Sequence, residues 1–194
     1  MDIRSLIWKN FRVKHRDNLP LWPWAEITRD NLAQLFAEAG YTRGAEIGVQ
    51  KGIFSNTLLS CNPNLTLLCI DPWTPYSRTS QEKQDMFLRC CKRRLAGYKH
   101  EIMRMTSIEA LSHVPDGSLD FVYIDGLHDF DNVIMDIIGW SKKVKSGGIV
   151  SGHDYCNFYQ GGVVCAVDAY TRSHNIAEWY ITREIQHSWF WVKG

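Results

Sequence analysis

Two glycines and an acid in the first half of the chain have the spacing of a nucleoside-binding site. Gly48 and Gly52 follow an apolar stretch, and Asp71 ends the next apolar run, about twenty residues further on. A glycine has no Cβ, so Gly48 lets the backbone turn sharply next to a ligand, and Gly52 lets the following helix pack closely. An acid at the tip of the second strand binds ribose hydroxyls in folds of this kind. The pattern predicts a cofactor that carries a nucleoside, with packing alone as the structural alternative for the glycines.

Histidines and acids follow two later strands, at the points where those strands end. Asp125 and His128 come after the fourth predicted strand, and His153 and Asp154 come after the fifth. Because ligands bind beyond the carboxyl ends of parallel strands, we expect these side chains to face the same crevice. His128 and His153 are candidates for a general base, since imidazole titrates near neutral pH. Each histidine also has a structural alternative, which is a loop side chain hydrogen-bonded to backbone.

The elements that position these side chains alternate between short apolar runs and longer helical patterns. Predicted strands lie at 65–70, 99–105, 119–124, 149–151, 177–182 and 188–192, after a first strand that ends before Gly48. Predicted helices lie at 81–95, 108–113, 132–144 and 163–173, with Gly147 and Gly148 breaking the third of them. Alternation of this kind predicts a parallel sheet with helices on both faces. The short connection between the last two strands predicts an antiparallel hairpin at one edge.

Length and composition are those of one globular domain without a strongly charged surface. The chain has 194 residues, of which 45% are hydrophobic and 22% are charged, and a formal net charge of +1. A charge so close to zero gives no general attraction for nucleic acid or anionic membrane, so we expect neither as a partner. The sequence lacks the apolar run of a membrane span or a secretory signal, and we expect a cytoplasmic protein.

The first thirty residues differ from the rest in composition and form a predicted arm, 1–30, followed by one domain, 31–194. The arm carries Trp8, Trp22 and Trp24 among basic residues and prolines. We expect it to cover the sheet, with a substrate lid or a dimer arm as alternatives. A dimer arm would make the protein a homo-oligomer.

The glycine spacing separates two classes of nucleoside-binding protein. The two glycines form Gly-x-x-x-Gly, with Glu46 two residues before the first, and not the Gly-x-Gly-x-x-Gly of nicotinamide and flavin proteins. The pattern resembles the first motif of class I S-adenosylmethionine-dependent methyltransferases. Residues 123–128 and 152–155 resemble a family within that class, which includes macrocin-type sugar O-methyltransferases and cephalosporin-hydroxylase-like proteins. The resemblance extends over 45–193.

This resemblance implies a fold and a reaction. The fold is a Rossmann-like, doubly wound α/β architecture, with a mostly parallel seven-stranded sheet, an antiparallel edge strand and helices on both faces. The reaction is transfer of a methyl group from S-adenosylmethionine to oxygen of a small molecule or sugar. The loop 72–81, which contains Tyr76 and Arg78, is a plausible place for that acceptor.

The resemblance also implies a cofactor site assembled from the ends of the first four strands: Glu46, Gly48, Gly52, Ser55, Asp71, Trp73, Thr106, Ser107 and Asp125. In that site, Glu46 and Gly48 line the methionine end and Asp71 holds the ribose. Ser55 meets the methionine carboxylate or is simply a residue of the first helical turn.

Adenine is expected against residues that follow the second and third strands. The resemblance implies that Trp73, Thr106 and Ser107 border it. The structural alternatives are core packing for Trp73 and capping of the next helix by Ser107.

The last part of the site departs from the pattern of magnesium-dependent members of the class. Those enzymes have an acidic pair after the fifth strand, whereas here His153 takes the first place and Asp154 the second. Asp125 and Asp154 are nevertheless candidate ligands for a shared divalent cation such as Mg²⁺, which would acidify a bound hydroxyl. Without a metal, we expect Asp125 to orient the amine of the cofactor and Asp154 to orient a histidine. The catalytic candidates are therefore His128, His153 and Asp125.

Two other functions stay open at the level of sequence. A non-catalytic protein could keep the fold for partner recognition, with the arm as its interaction surface, because a fold does not establish chemistry. A nicotinamide-dependent oxidoreductase is the second alternative, and the glycine spacing argues against it.

Overall fold

The computed structural model describes four stretches of the chain: 2–13, 19–23, 26–77 and 79–194. Trp24 and Arg78 lie outside these described residues. The strands are β1 (Arg43–Ile47), β2 (Thr66–Ile70), β3 (His100–Met103), β4 (Leu119–Ile124), β5 (Val144–Gly152), β6 (Trp179–Ile181) and β7 (Trp189–Val192). The α-helices are α1 (Ile3–Phe11), α2 (Arg29–Glu38), α3 (Ile53–Cys61), α4 (Gln81–Leu95), α5 (Ser107–Ala110), α6 (Phe130–Lys143) and α7 (Gly162–Ser173). None of the helices within these stretches is long and apolar enough to cross a bilayer.

The strands form one sheet in the order β3, β2, β1, β4, β5, β7, β6. β1 to β5 run parallel, whereas β7 is antiparallel to both β5 and β6. This confirms the predicted seven-stranded, mostly parallel sheet with an antiparallel final hairpin at one edge. The strand order reverses between β1 and β4, which is where open α/β sheets bind their ligands.

The strands that precede the predicted site residues end at the same level of the sheet. Ile47 at the end of β1 pairs with Ile70 of β2 on one side and with Ile124 of β4 on the other. Ile124 in turn pairs with Gly152, the last residue of β5. The register therefore brings the residues that follow these four strands to one edge of the sheet.

Two apolar cores lie on opposite faces of the sheet, because successive side chains of a strand point to opposite faces. In β4, Phe121 and Tyr123 pack on the face covered by α1 to α4, and Val122 and Ile124 pack on the face covered by α5 to α7. Every residue of β4 is buried. The prediction of helices on both faces is confirmed by this layering.

The described part of the N-terminal arm packs on the body of the sheet. α1 buries Leu6, Ile7 and Phe11 in the same core as α2, α3 and α4. Leu21 pairs with Tyr180 of β6 and so satisfies backbone groups that an edge strand would otherwise leave open. These residues thus cover part of one face and one edge of the sheet.

One strand differs clearly from its predicted bounds, although α4 and β4 match theirs. β5 begins at Val144, so Gly147 and Gly148 lie inside the strand, and the prediction that they break the preceding helix was wrong. The reason is pairing with the end of the chain: Gly147 N donates to Lys193 O, and Lys193 N donates to Gly148 O, each at 2.8 Å. A Cβ on Gly148 would also overlap the carbonyl oxygen of Asp120, so the close strand approach requires glycine there.

Candidate functional site

The turn after β1 is as tight as the sequence predicts. Gly48 has φ 87° and Gly52 has φ 68°, values in the left-handed region that favours glycine. A Cβ on Gly48 would overlap the backbone carbonyl of Asp125, and one on Gly52 would press on the Cys91 sulfur of α4 at 3.0 Å. The backbone of Asp125 therefore requires glycine at position 48, and the left-handed φ favours glycine at position 52. Gly48 also brings the turn directly against the end of β4.

A buried acid lies next to this turn. Glu46 is 2% exposed, and the hydroxyl of Ser55 in α3 donates a hydrogen bond to its carboxylate. Burial raises the pKa of Glu46 to about 8, and the hydrogen bond from Ser55 opposes that rise. Glu46 is thus mostly protonated at neutral pH. Ser55 is itself fully buried, and its hydroxyl is directed at Glu46.

Asp71 is held rigidly at the end of β2. Its Oδ2 accepts a hydrogen bond from Gln50 N at 2.9 Å, and its Oδ1 accepts one from Trp73 N at 2.7 Å. Burial raises the pKa of Asp71, and these backbone hydrogen bonds oppose the rise. Each oxygen has a second lone pair, so the carboxylate can accept from two further hydroxyls.

Trp73 lies at the expected point of the chain, but its side chain has no exposed surface. Its indole N–H donates to Gln50 O at 2.8 Å, and its ring belongs to the core on the α1 to α4 face. The ring therefore holds the loops after β1 and β2 together. Stacking on adenine would require it to leave the core.

Thr106 and Ser107 follow β3, and both hydroxyls are engaged within the protein. Thr106 caps α5, where its Oγ1 accepts from Glu109 N at 3.3 Å. Ser107 Oγ accepts from the Trp140 indole at 2.7 Å and donates to Asp136. Burial raises the pKa of Asp136 to about 6, against the effect of the Ser107 hydrogen bond. The two hydroxyls therefore shape the loop after β3. The helix cap expected at Ser107 is instead Thr106, and Ser107 is the first residue of α5.

Two acids and two histidines meet at the ends of β4 and β5. His128 Nε2 lies 2.9 Å from Asp154 Oδ2 and 3.6 Å from Asp125 Oδ1. His153 Nδ1 lies 3.4 Å from Asp154 Oδ2 and 3.9 Å from Asp125 Oδ2. The common crevice was expected from the strand ends, and the structure brings the four side chains within ion-pair distance.

The charges in this cluster depend on one another. Burial works against a charge on His128, but hydrogen bonds with Asp125 and Asp154 outweigh it and raise the pKa of His128 to about 9. Burial also opposes a charge on Asp154, and hydrogen bonds from His128 and His153 outweigh it and hold the pKa of Asp154 well below its usual value. At neutral pH the resting cluster therefore holds an imidazolium and a carboxylate in contact.

Asp154 is the most buried member of the cluster. It is 4% exposed, and its φ of 59° lies in the left-handed region that is uncommon for residues other than glycine. Its Oδ1 has no hydrogen-bond partner among the described residues. Asp125, His128 and Asp154 each place one potential ligand atom within 4.8 Å of the others. Because an unpartnered buried oxygen is costly, we expect a proton donor or a cation at this point.

Arg29, at the start of α2, was not identified from the sequence and lies beside the cluster. Its Nη1 is 3.8 Å from Asp125 Oδ2, and its Cζ is 5.2 Å from the centre of the Phe54 ring. Arg29 precedes β1 and belongs to no recognisable motif. Only the packing of α2 against α3 reveals where its side chain lies.

Comparisons with known proteins agree on one class. A family model described as a methyltransferase domain matches residues 45–155. A proposed caffeoyl-CoA O-methyltransferase from Staphylococcus aureus is 17% identical with a TM-score of 0.63, over 100% of this chain and 93% of that one. TomG, an O-methyltransferase of tomaymycin synthesis from Streptomyces achromogenes solved in complex with SAM, is 17% identical with a TM-score of 0.62, over 86% and 80%. The N-methyltransferase NodS from Bradyrhizobium japonicum is 16% identical with a TM-score of 0.55, over 84% and 91%. A search of curated proteins finds no match.

The fold and the glycine turn define a class I methyltransferase, the class that uses S-adenosylmethionine as its cofactor. The family model covers more than half of the chain, and the chain belongs to this methyltransferase domain family. The solved relatives share the fold alone at these identities, and they include both O- and N-methyltransferases. The acceptor atom must therefore be argued from the site.

Proposed function

We propose that the protein transfers a methyl group from S-adenosylmethionine to a hydroxyl oxygen of a small molecule. The observation that carries this proposal is the 2.9 Å contact between His128 Nε2 and Asp154 Oδ2, at a strand end that adjoins the glycine turn. A hydroxyl must lose its proton to become a good nucleophile, whereas a neutral amine attacks with its own lone pair. A histidine paired with an acid beside the cofactor turn therefore supports oxygen over nitrogen as the acceptor.

Residues at the ends of β1, β2 and β4 fit the cofactor. Asp71 has acceptor capacity left on both oxygens, which suits the two ribose hydroxyls. Asp125 lies against Gly48 and suits the amino group at the methionine end. Glu46, at the end of β1, is mostly protonated and can add a carbonyl oxygen as a second acceptor. When bound, the cofactor supplies an electrophilic methyl group on a positively charged sulfur. Little new charge develops in the transfer, so these residues act mainly by alignment, which can supply roughly 7–11 kcal/mol.

His128 is the residue that we assign to the proton of the acceptor. The buried carboxylate of Asp154 orients its imidazole, and His153 contacts the same carboxylate oxygen at 3.4 Å. A base in such a position contributes about 10²–10⁴-fold to the rate. In the resting protein His128 carries a proton at neutral pH. The positively charged sulfur of a bound cofactor would lower the pKa of His128 and favour loss of that proton.

A divalent cation is the alternative way to activate a hydroxyl here, with Asp125, His128 and Asp154 as its ligands. Among the residues that the structure describes, Asp154 Oδ1 has no hydrogen-bond partner, and this observation favours a cation. An imidazole among the ligands is more typical of a transition-metal ion than of Mg²⁺, which prefers oxygen. Arg29 already places a positive charge 3.8 Å from Asp125, which a cation would have to tolerate. A cation would bind His128 at Nε2, and the neutral imidazole would then carry its proton on Nδ1. Such a histidine has no free lone pair for the proton of the acceptor, so the two routes exclude one another.

Cofactor binding and methyl transfer test this proposal separately. Calorimetry with S-adenosylmethionine and S-adenosylhomocysteine should detect binding of both, and absence of both at millimolar concentration would rule the proposal out. Methyl transfer is then measured on a panel of phenols, catechols and sugar glycosides, each with a matched amine. Transfer to the hydroxyl compounds supports the proposal, and transfer to the amines alone refutes it.

A chelator distinguishes the two routes at the cluster. After dialysis against a chelator, an enzyme that uses His128 as its base keeps its activity. An enzyme that uses a cation loses activity and regains it when a divalent ion is added back.

A further inference from the structure

We propose that Arg29 binds the carboxylate at the amino-acid end of the cofactor, and so makes the site selective for nucleosides that carry an intact α-amino acid. This inference rests on the proposed use of S-adenosylmethionine. The observation that points to it is a half-buried guanidinium beside the acids of the glycine turn. A zwitterionic ligand needs both signs of charge within a few ångströms.

The backbone of Arg29 is held in place independently of its side chain. Its N–H donates to both carboxylate oxygens of Glu184, at 3.0 and 3.1 Å. Glu184 in turn accepts hydrogen bonds from the hydroxyls of Thr182 and Ser188, each at 2.8 Å. The turn between β6 and β7 therefore anchors the start of α2. A change of the Arg29 side chain leaves this anchor in place.

The guanidinium lies over the helix that follows the glycine turn. Arg29 Cζ is 5.2 Å from the ring centre of Phe54, which is in the first turn of α3. At such a distance the face of an aromatic ring attracts a cation and steadies it. The Arg29 side chain is 31% exposed, so it is partly desolvated and still open to a ligand.

The Arg29 guanidinium has more hydrogen-bond donors than the described residues engage. It carries five N–H donors in a planar fork. Across residues 2–13, 19–23, 26–77 and 79–194, its only ion pair is with Asp125, at a distance of 3.8 Å that is too long for a direct hydrogen bond. One further donor is directed at the hydroxyl of Tyr123. The remaining donors belong to a planar fork, and such a fork can bind a carboxylate in bidentate fashion.

The order of the strands places this cation at the correct end of the proposed ligand. Asp71 follows β2 and Asp125 follows β4, on opposite sides of the turn after β1. A ligand with its ribose at Asp71 therefore extends past Gly48 towards Asp125 and Arg29. At that end Asp125 accepts from the ammonium group of the ligand, and Arg29 donates to its carboxylate. In the part of the chain that the structure describes, no other arginine or lysine forms an ion pair with Asp125.

Calorimetric titration of Arg29→Met with two ligands tests the inference. S-adenosylhomocysteine carries the amino acid, and 5′-methylthioadenosine is a similar thioether nucleoside without it. The Kd of the variant for S-adenosylhomocysteine should rise about 10- to 100-fold, as expected for loss of charged hydrogen bonds. The Kd for 5′-methylthioadenosine should stay that of the wild type, which also shows that the variant is folded. Arg183→Met, at an exposed arginine in the β6–β7 turn, is the matched control and should alter neither Kd.

Two more measurements make the test specific for a carboxylate. Decarboxylated S-adenosylmethionine keeps the amino group, so the wild type and Arg29→Met should bind it equally well. Arg29→Lys keeps the charge without the planar fork, and its Kd for S-adenosylhomocysteine should lie between those of the wild type and Arg29→Met.

Three outcomes would overturn the inference. Equal weakening of 5′-methylthioadenosine would show that Arg29 only shapes the site. An unchanged Kd for S-adenosylhomocysteine, with normal binding by the wild type, would show that Arg29 does not contact the carboxylate and would leave the proposed function intact. A wild-type protein that binds neither S-adenosylmethionine nor S-adenosylhomocysteine would overturn the proposed function together with this inference.

Discussion

Replacing the buried acid at the glycine turn, Glu46→Gln, should change how stability depends on pH. The ordinary pKa of a glutamate is 4.5, and burial raises that of Glu46 to about 8. Between these values the folded protein holds a proton that the unfolded chain has lost. The stabilising contribution of this proton is complete below pH 4.5 and is lost as the pH rises through 8, at about 1.4 kcal/mol per pH unit.

Glutamine has nearly the shape of glutamate, can accept the Ser55 hydrogen bond and does not ionise. The stability of the variant therefore does not fall with pH in this way. The free energy of unfolding of Glu46→Gln minus that of the wild type should increase by about 2–3 kcal/mol from pH 6 to pH 8. Over the whole interval between the two pKa values the difference amounts to about 5 kcal/mol. Urea unfolding, followed by the fluorescence of the 8 tryptophans, measures it at pH 6, 7 and 8.

The difference between the two proteins removes the contribution of histidines and other groups that they share. Glu101→Gln, at an exposed position of β3, is the control and should give no pH-dependent difference. If the gap between Glu46→Gln and the wild type stays constant within about 0.5 kcal/mol over this range, the raised pKa of Glu46 is wrong. The acid would then be ionised in the folded protein.

Three further substitutions test other parts of the site. Asp71→Ala removes the acceptors assigned to the ribose, so the calorimetric Kd for S-adenosylhomocysteine should rise about 100-fold, and an unchanged Kd would mean that the ribose lies elsewhere. His128→Gln should lower kcat by about 10²–10⁴-fold in a methyl-transfer assay while that Kd stays normal, and a defect confined to binding would contradict a base. Gly48→Ala forces a Cβ into the Asp125 carbonyl, so urea unfolding should show a loss of at least about 2 kcal/mol, and wild-type stability would disprove the tight contact.

Local patterns were sufficient for most elements and for the strand ends that carry the site. α4 has its predicted bounds because the Ser80 cap and the apolar spacing are features of a short segment. The ends of β1, β2, β4 and β5 could be placed in one crevice because parallel strands end at a common edge. The pair Gly147 and Gly148 was misinterpreted because its backbone hydrogen bonds are to Lys193, which is distant in sequence and lies near the end of the chain.

The residue types at the cofactor turn were easier to predict than the directions of their side chains. Ser55 and Trp73 lie beside the turn, as expected, but both side chains are fully buried. Ser55 hydrogen-bonds to Glu46, and Trp73 hydrogen-bonds to Gln50 O. Burial of this kind depends on how α3 and the loop after β2 pack. The spacing of residues in the sequence cannot predict it.

The sequence by itself determined the class of this protein. Three features indicate it: the glycine turn, the acid at the next strand tip and the alternation of strands and helices. Each depends on a short segment of sequence, whose geometry follows from backbone sterics and hydrophobic periodicity. Only the tertiary structure decided which side chains meet, as in the 2.9 Å contact of His128 with Asp154 and the approach of Arg29 to Asp125. Those contacts join residues from separate elements, and their distances and desolvation arise only when the elements pack together.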